Sequence, residues 1–276
     1  KSVTETMEFL STKGFEISYV SLKSDGSIDL KELESLIRED TILVSVCAVN
    51  SEVGLKAPLK TIRQIINKKN PKVIFHSDMT QALGKININL SDVDLASMSS
   101  HKIYAPKGIG LLYKRNNLEI EPLIYGLTEN CPYRGGTPAL PLIVSFAKAV
   151  RIITENLPAN IKVVESLNEM VYNGLKDLPV HINSNNLCVP QIFNLSLINI
   201  KSETFVRAIE KYGVYISTTT ACSSNEPSSI LKYITSDKSI NTTSIRVSIS
   251  HLTTKKEIEE FIVAFHKTYN ELLLKE

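Results

Sequence analysis

From Thr41 to Tyr113 the hydrophobic period of the sequence switches repeatedly, and that switching limits what the chain can fold into. TILVSVCAV (41–49) is a continuous β-branched and apolar run, the pattern of a strand covered on both faces. LKTIRQIINKKN (59–70) then repeats its apolar residues at helical spacing, and VIFHS (73–77) reads as a second short strand. LASMS (95–99) and GIGLLY (108–113) read as two more. Strands alternating with helices predict βαβ units, and so an α/β fold with a mostly parallel sheet flanked by helices. In such sheets ligands collect at the carboxyl ends of the strands.

Upstream, KSVTETMEFLSTKGF reads as a helix on Val3, Met7 and Leu10, and FEISYVSL (15–22) alternates like a strand. IDLKELESLI (28–37) follows as a helix, with Asp29 as N-cap and Glu32 three residues on. Past Pro138 the texture changes. A long helix runs beyond Arg151, NLPAN (156–160) interrupts it, and a second covers residues 161–178. Short strands are then expected around Ile192 and Val214, a helix from Ser202 to near Gly213, a strand at SIRVSIS (244–250), and a closing helix. Thr254 and Glu257 form a capping box for that last helix, whose Ile258, Phe261, Ile262 and Phe265 make one apolar stripe. A boundary near Pro158 gives a large domain over 1–158, N-terminally incomplete, and a smaller α+β C-terminal domain over 159–276.

Charge narrows the partners. Thirty-one Lys and Arg against 29 Asp and Glu leave +2, too balanced for a nucleic-acid or acidic-membrane footprint, so small molecules are the expected ligands. No apolar run approaches the roughly 18 residues of a membrane span and no signal-peptide pattern opens the chain, so a cytoplasmic location, or an organelle matrix in a eukaryote, is expected. The four cysteines are widely spaced and form no CxxC pair, against both a disulfide framework and a structural zinc site. Cys47 and Cys188 read as buried and inert, Cys131 is ambiguous, and Cys222 sits among small polar residues that read as an accessible loop.

Asp78 and Gln81 follow the strand VIFHS directly, and Ser99, His101 and Lys102 follow LASMS one step on. Taken singly, Asp78 is a turn cap, Lys102 a solvated surface group and His101 a turn histidine satisfied by backbone. Together they are the set that pyridoxal phosphate needs: an amine for a Schiff base, an anion against the pyridinium nitrogen, and donors around the phosphate. Arg246 lies inside an apolar strand, where a charge needs a partner anion, in a structural salt bridge or on a ligand.

HSDMTQALGKININL and DLASMSSHKIYAPKGIGLLY resemble the cofactor segments of cysteine desulfurases, the NifS-like branch of the class V aminotransferases. DLKELESLIREDTILVSV, RGGTPALP, TTTACSSNEPS and SIRVSIS resemble the same family in the same order, over essentially the whole chain. The resemblance implies a fold-type I pyridoxal 5'-phosphate enzyme converting L-cysteine to L-alanine. Lys102 would bond the cofactor and move protons at the substrate α-carbon, Asp78 would hold the ring nitrogen protonated, and Gln81 would bond the phenolic oxygen. Ser99 and His101 would bind the phosphate, and Thr137 would reach the phosphate in a partner subunit, which implies a homodimer. Asn50 and Arg246 would bind substrate, Arg246 by its carboxylate, and Cys222 would take the sulfur as a persulfide destined for iron–sulfur clusters, thio-cofactors or tRNA through an acceptor or scaffold protein.

The pattern departs from the family in four places. The likeness starts beyond the family's opening phosphate loop and its ring-stacking histidine, so the chain is expected to complete the site only with those elements supplied. Ser51 stands where the family has a second asparagine, YGLTENCPYRGGT lacks a glycine-rich run, and the segment from Cys222 to Pro227 is shorter than in relatives with a long catalytic loop. Two alternatives stay open: a selenocysteine lyase or other class V enzyme, and a catalytically silent binding relative.

Overall fold

The computed structural model describes residues 2–126, 133–218, 228 and 230–274. Its elements in chain order are α1 (Thr4–Ser11), α2 (Leu30–Leu36), β1 (Leu43–Cys47), α3 (Leu59–Lys69), β2 (Ile74–Asp78), β3 (Leu95–Ser99), β4 (Gly110–Lys114), α4 (Leu140–Glu155) and α5 (Leu157–Leu175). After these come β5 (His181–Ile182), β6 (Ile192–Ser196), α6 (Ser202–Ile209), α7 (Leu231–Ile234), α8 (Lys238–Asn241), β7 (Ser244–Ser248) and α9 (Lys255–Leu273). The chain folds into two compact units, one made of 37–48 and 58–157, the other of 1–36, 49–57 and 158–276.

The first unit holds a mixed sheet in the order β1-β2-β3-β4, with β1, β2 and β3 parallel and β4 antiparallel to β3. The expected βαβ reading therefore holds, and the antiparallel β4 follows from the short connection between it and β3. Asp94, just before β3, ties the sheet together. Its carboxylate accepts from the Phe75 backbone N–H at 2.8 Å, from Arg63 Nη2 at 2.5 Å and from Arg115 Nε at 3.2 Å. Leu83, Ile103, Phe146 and Ile153 form the apolar core beneath the strand ends, and Gly84 lies so close to Ile153 that an added Cβ would collide with it.

The second unit is α+β: an antiparallel sheet β5-β6-β7 with α5, α6 and α9 around one core. Phe265 gathers three rings there, with centroid distances of 4.7 Å to Phe205 (tilted), 5.8 Å to Phe261 (edge-on) and 6.3 Å to Tyr269 (stacked). The capping box forms as expected, since Glu257 N–H donates to Thr254 Oγ1 at 3.2 Å and Thr254 N–H to Glu257 Oε2 at 2.7 Å.

Three expectations need correction. FEISYVSL forms no strand; among the described residues it makes one bridge, Leu22 with Ile28, and it leaves Tyr19 exposed. Alternation alone does not make a strand without a neighbour to complete the ladder. The described residues after Val214 form no strand either, and among them the one bridge is Ser217 with Arg246. Finally, Cys47 is exposed rather than buried, because β1 ends there at the carboxyl edge of the sheet. Cys188 is buried, and burial pushes its thiol above the ordinary value.

Candidate active site

In the first unit, β2 ends on Asp78 and β3 on Ser99, so both reach the carboxyl edge of the sheet, with Asp78 beside Cys47 on one side and Ser97 on the other. Asp78 Oδ1 accepts from the Thr80 N–H at 2.9 Å, which shapes the turn carrying half-buried Gln81. After β3 a single 3-10 turn, Ser100–Ile103, alternates its environments: Ser100 and Ile103 are buried, while His101 and Lys102 are exposed. Ser100 Oγ donates to Pro106 O at 2.5 Å and Tyr104 closes the turn in the left-handed region at φ 69°. His101 Nδ1 lies 2.8 Å from Ser99 Oγ. The fold thus brings Asp78, Gln81, Ser99, His101 and Lys102 to one sheet edge. Thr137 lies in this unit too, exposed, next to Gly136 in the left-handed region.

Two polar features of this face escaped the sequence reading. His76, two residues before Asp78 and so on the same face of β2, hydrogen-bonds Ser45 Oγ through Nδ1 at 2.8 Å and Ser97 Oγ through Nε2 at 3.2 Å. Burial lowers its pKa while the Asp78 charge pulls the other way. Lys85 is held down to about 8, first by burial and then by the positive charge of Lys102. The unfolded chain keeps that proton up to the ordinary 10.5, so it binds more protons than the native state between the two values, and stability rises with pH across that window and is lost as pH falls through about 8. Lys85→Met is therefore expected to melt above the parent at pH 7, with the gap closing towards pH 10.5. Melting curves across that range check it, and a constant gap would contradict the depressed value.

In the second unit Arg246 sits at the centre of β7, directly across the ladder from Asn194. Its Nη1 donates to the Ser51 carbonyl at 3.0 Å, and Nη2 makes a long contact of 3.4 Å with Ser217 Oγ. Its Nε is buried with no hydrogen-bond partner among the described residues. One edge of the guanidinium, Nε with Nη2, is left to receive an anion, and that edge suits a carboxylate bound through both oxygens. Burial lowers the pKa of Arg246 and the charge of Glu52 opposes the fall.

Asn50 is committed to its own turn, where Oδ1 accepts from the N–H groups of Glu52 at 2.8 Å and Val53 at 3.0 Å. Ser51 contributes its backbone carbonyl to Arg246, a role that its side chain does not decide. Glu52, missed in the sequence, is only 4% exposed and accepts from Ser228 Oγ at 2.6 Å. An acidic residue between the apolar stretches AV and VGL was the available signal, since a buried carboxylate requires partners. Cys222 and Cys131 lie outside the described residues. Among the described residues no cluster of metal-binding side chains occurs, and no helix is long and apolar enough to cross a membrane.

The family model for class-V aminotransferases matches residues 1–261. The chain is 36% identical over 271 residues to cysteine desulfurase IscS of Histophilus somni strain 2336, covering 94% of this chain and 65% of that protein. It is 36% identical over 278 residues to IscS of Proteus mirabilis, covering 99% and 68%. A mitosomal cysteine desulfurase of Trachipleistophora hominis is 37% identical, over 94% of this chain and 61% of its own length. The chain thus spans about two thirds of the length of these relatives. A solved structure of a NifS-like protein superposes with a TM-score of 0.91 at 36% identity, over 99% of this chain and 73% of that one.

Proposed function

The chain belongs to the class-V aminotransferase family, and from that premise we propose that it serves a pyridoxal-phosphate-dependent cysteine desulfurase, which takes sulfur from L-cysteine and leaves L-alanine. The observation that carries the reading is the open edge of Arg246, a buried guanidinium whose Nε has no partner among the described residues. A buried unpaired donor costs about 1–3 kcal/mol, so the site is matched to a ligand that pairs it, and an amino acid's α-carboxylate is such a ligand.

The donor set at the first unit's sheet edge fits pyridoxal phosphate: a carboxylate, an amide, a serine–histidine pair and an exposed amine, all following β2 and β3. Lys102 would hold the cofactor by its amine, Asp78 would pair with the ring nitrogen, Gln81 with the phenolic oxygen, and Ser99 and His101 with the phosphate. When bound, the cofactor supplies a ring that accepts electrons from the substrate's carbon skeleton. The chain's own residues do the rest. Arg246 orients the substrate, Lys102 moves the proton at its α-carbon, and the Cys222 thiolate attacks the substrate sulfur. The carbon–sulfur bond breaks with its electron pair going to carbon, which takes a proton to become alanine, while a sulfur–sulfur bond forms on Cys222.

Exposed Leu123, Tyr125 and Leu140, flanking Thr137 in the sequence, fit coverage by a second copy, so the working form is a homodimer in which Thr137 reaches the other subunit's cofactor. The persulfide then passes to an acceptor protein.

The test is cysteine turnover by the cofactor-loaded protein. Alanine and sulfide are expected in equal amounts in the presence of a thiol reductant, with loss of both on Cys222→Ala while the cofactor's absorbance band remains. Turnover of selenocysteine alone, or no turnover with the band present, would replace this reading with one of the two alternatives.

A further inference from the structure

We infer that Glu52 is a positioning residue for Arg246, fixing the guanidinium so that its open edge faces the substrate carboxylate. The inference rests on the proposed function and adds to it a residue with no assigned role. Two bonds pin the Glu52 turn to the C-terminal sheet, and a third ties its carboxylate to Ser228. The Ser51 carbonyl accepts from Arg246 Nη1 at 3.0 Å, the Glu52 carbonyl accepts from Asn194 Nδ2 at 3.0 Å, and the Glu52 carboxylate accepts from Ser228 Oγ at 2.6 Å. Asn194 and Arg246 face each other across β6 and β7, so the turn is held at both members of one cross-strand pair.

The anchors are themselves fixed. Asn194, 2% exposed, accepts from Asn183 Nδ2 at 2.7 Å. The Ser228 backbone N–H donates to Asn241 O at 3.2 Å, and Ser228 Oγ accepts from the Leu231 N–H at 3.2 Å while donating to Glu52. A carboxylate buried this deeply keeps its charge only where cations and donors meet it. Its charge also acts on Arg246, offsetting part of what burial does to that guanidinium. Glu52 therefore gives the arginine both a place and a counter-charge, while Nε stays without a partner among the described residues.

The experiment compares L-cysteine with cysteamine, which lacks the carboxylate, by calorimetric binding to the pyridoxal-phosphate-loaded protein. It also follows solvent exchange of the Arg246 Nε proton by NMR. Glu52→Gln keeps the size and the acceptor but removes the charge. It is expected to reduce the preference for L-cysteine about tenfold, the scale of one charged hydrogen bond, and to speed exchange of the Nε proton. A purely structural role would lower both affinities together and leave that exchange unchanged. If Arg246→Met abolishes the preference while Glu52→Gln alters neither readout, the inference falls and the functional reading stands. If Arg246→Met leaves the preference intact, both fall. Should Glu52→Gln fail to fold, Ser228→Ala retains the charge and removes its anchoring hydroxyl. About a threefold loss of preference is then expected, because the carboxylate keeps its charge and the turn keeps its two bonds to the sheet, and no change in either readout overturns the inference.

Discussion

Lys102→Ala is expected to eliminate turnover, by at least about 10³-fold, as removal of a covalent nucleophile does elsewhere. Added pyridoxal phosphate should then leave on dialysis, and the visible band that borohydride removes from the parent should be missing. The fold, in contrast, should barely register the change. The turn is held by its other residues: Ser100 Oγ on Pro106 O, Ile103 in the core with Phe146 and Ile153, and the left-handed Tyr104. Lys102 itself is exposed, and surface substitutions away from such features shift stability by no more than about 0.5 kcal/mol. Absorbance spectra, alanine release and a melting curve on one preparation separate the two effects. A variant that keeps its dialysis-resistant band would remove Lys102 from the cofactor site. One that melts far below the parent would show that the lysine serves the turn.

The ease of locating Lys102 and the difficulty of locating Glu52 have the same origin. LASMS and VIFHS are short apolar runs bounded by polar residues, so the ends of β3 and β2 could be read to within a residue, and residues that follow a parallel strand's end are bound to reach the ligand edge. Capping is equally local. Asp29 caps α2 through the N–H groups of Lys31 and Glu32, as its spacing implied, but the Glu32 side chain instead accepts from the Ser21 N–H. Glu52 depends on Ser228, 176 residues away in the chain, and on a cross-strand partner of Asn194, relations that no local period encodes. The Ser51 carbonyl is harder still, since every residue has one. The departure from asparagine at Ser51 is visible in the sequence, yet the bond to Arg246 comes from the backbone and survives it.

Arg246→Met is expected to weaken L-cysteine binding about a hundredfold, the equivalent of roughly 3 kcal/mol for a charged, two-pronged contact in a partly buried site. Methionine fills much of the same volume, so the loss reports the guanidinium and not a cavity. Two of the arginine's bonds are structural, to Ser51 O and Ser217 Oγ, and among the described residues its buried Nε has no partner, which leaves the Nε–Nη2 edge to a ligand. The variant should therefore penalise ligands in proportion to what they offer that edge: L-cysteine and L-alanine strongly, cysteamine hardly at all. Lys at this position would restore the charge without the fork, and a partial recovery, short of the parent, would identify geometry as the missing part. Equal weakening of cysteine and cysteamine would mean that Arg246 serves only to hold the Ser51 turn, and the carboxylate would have to be received elsewhere.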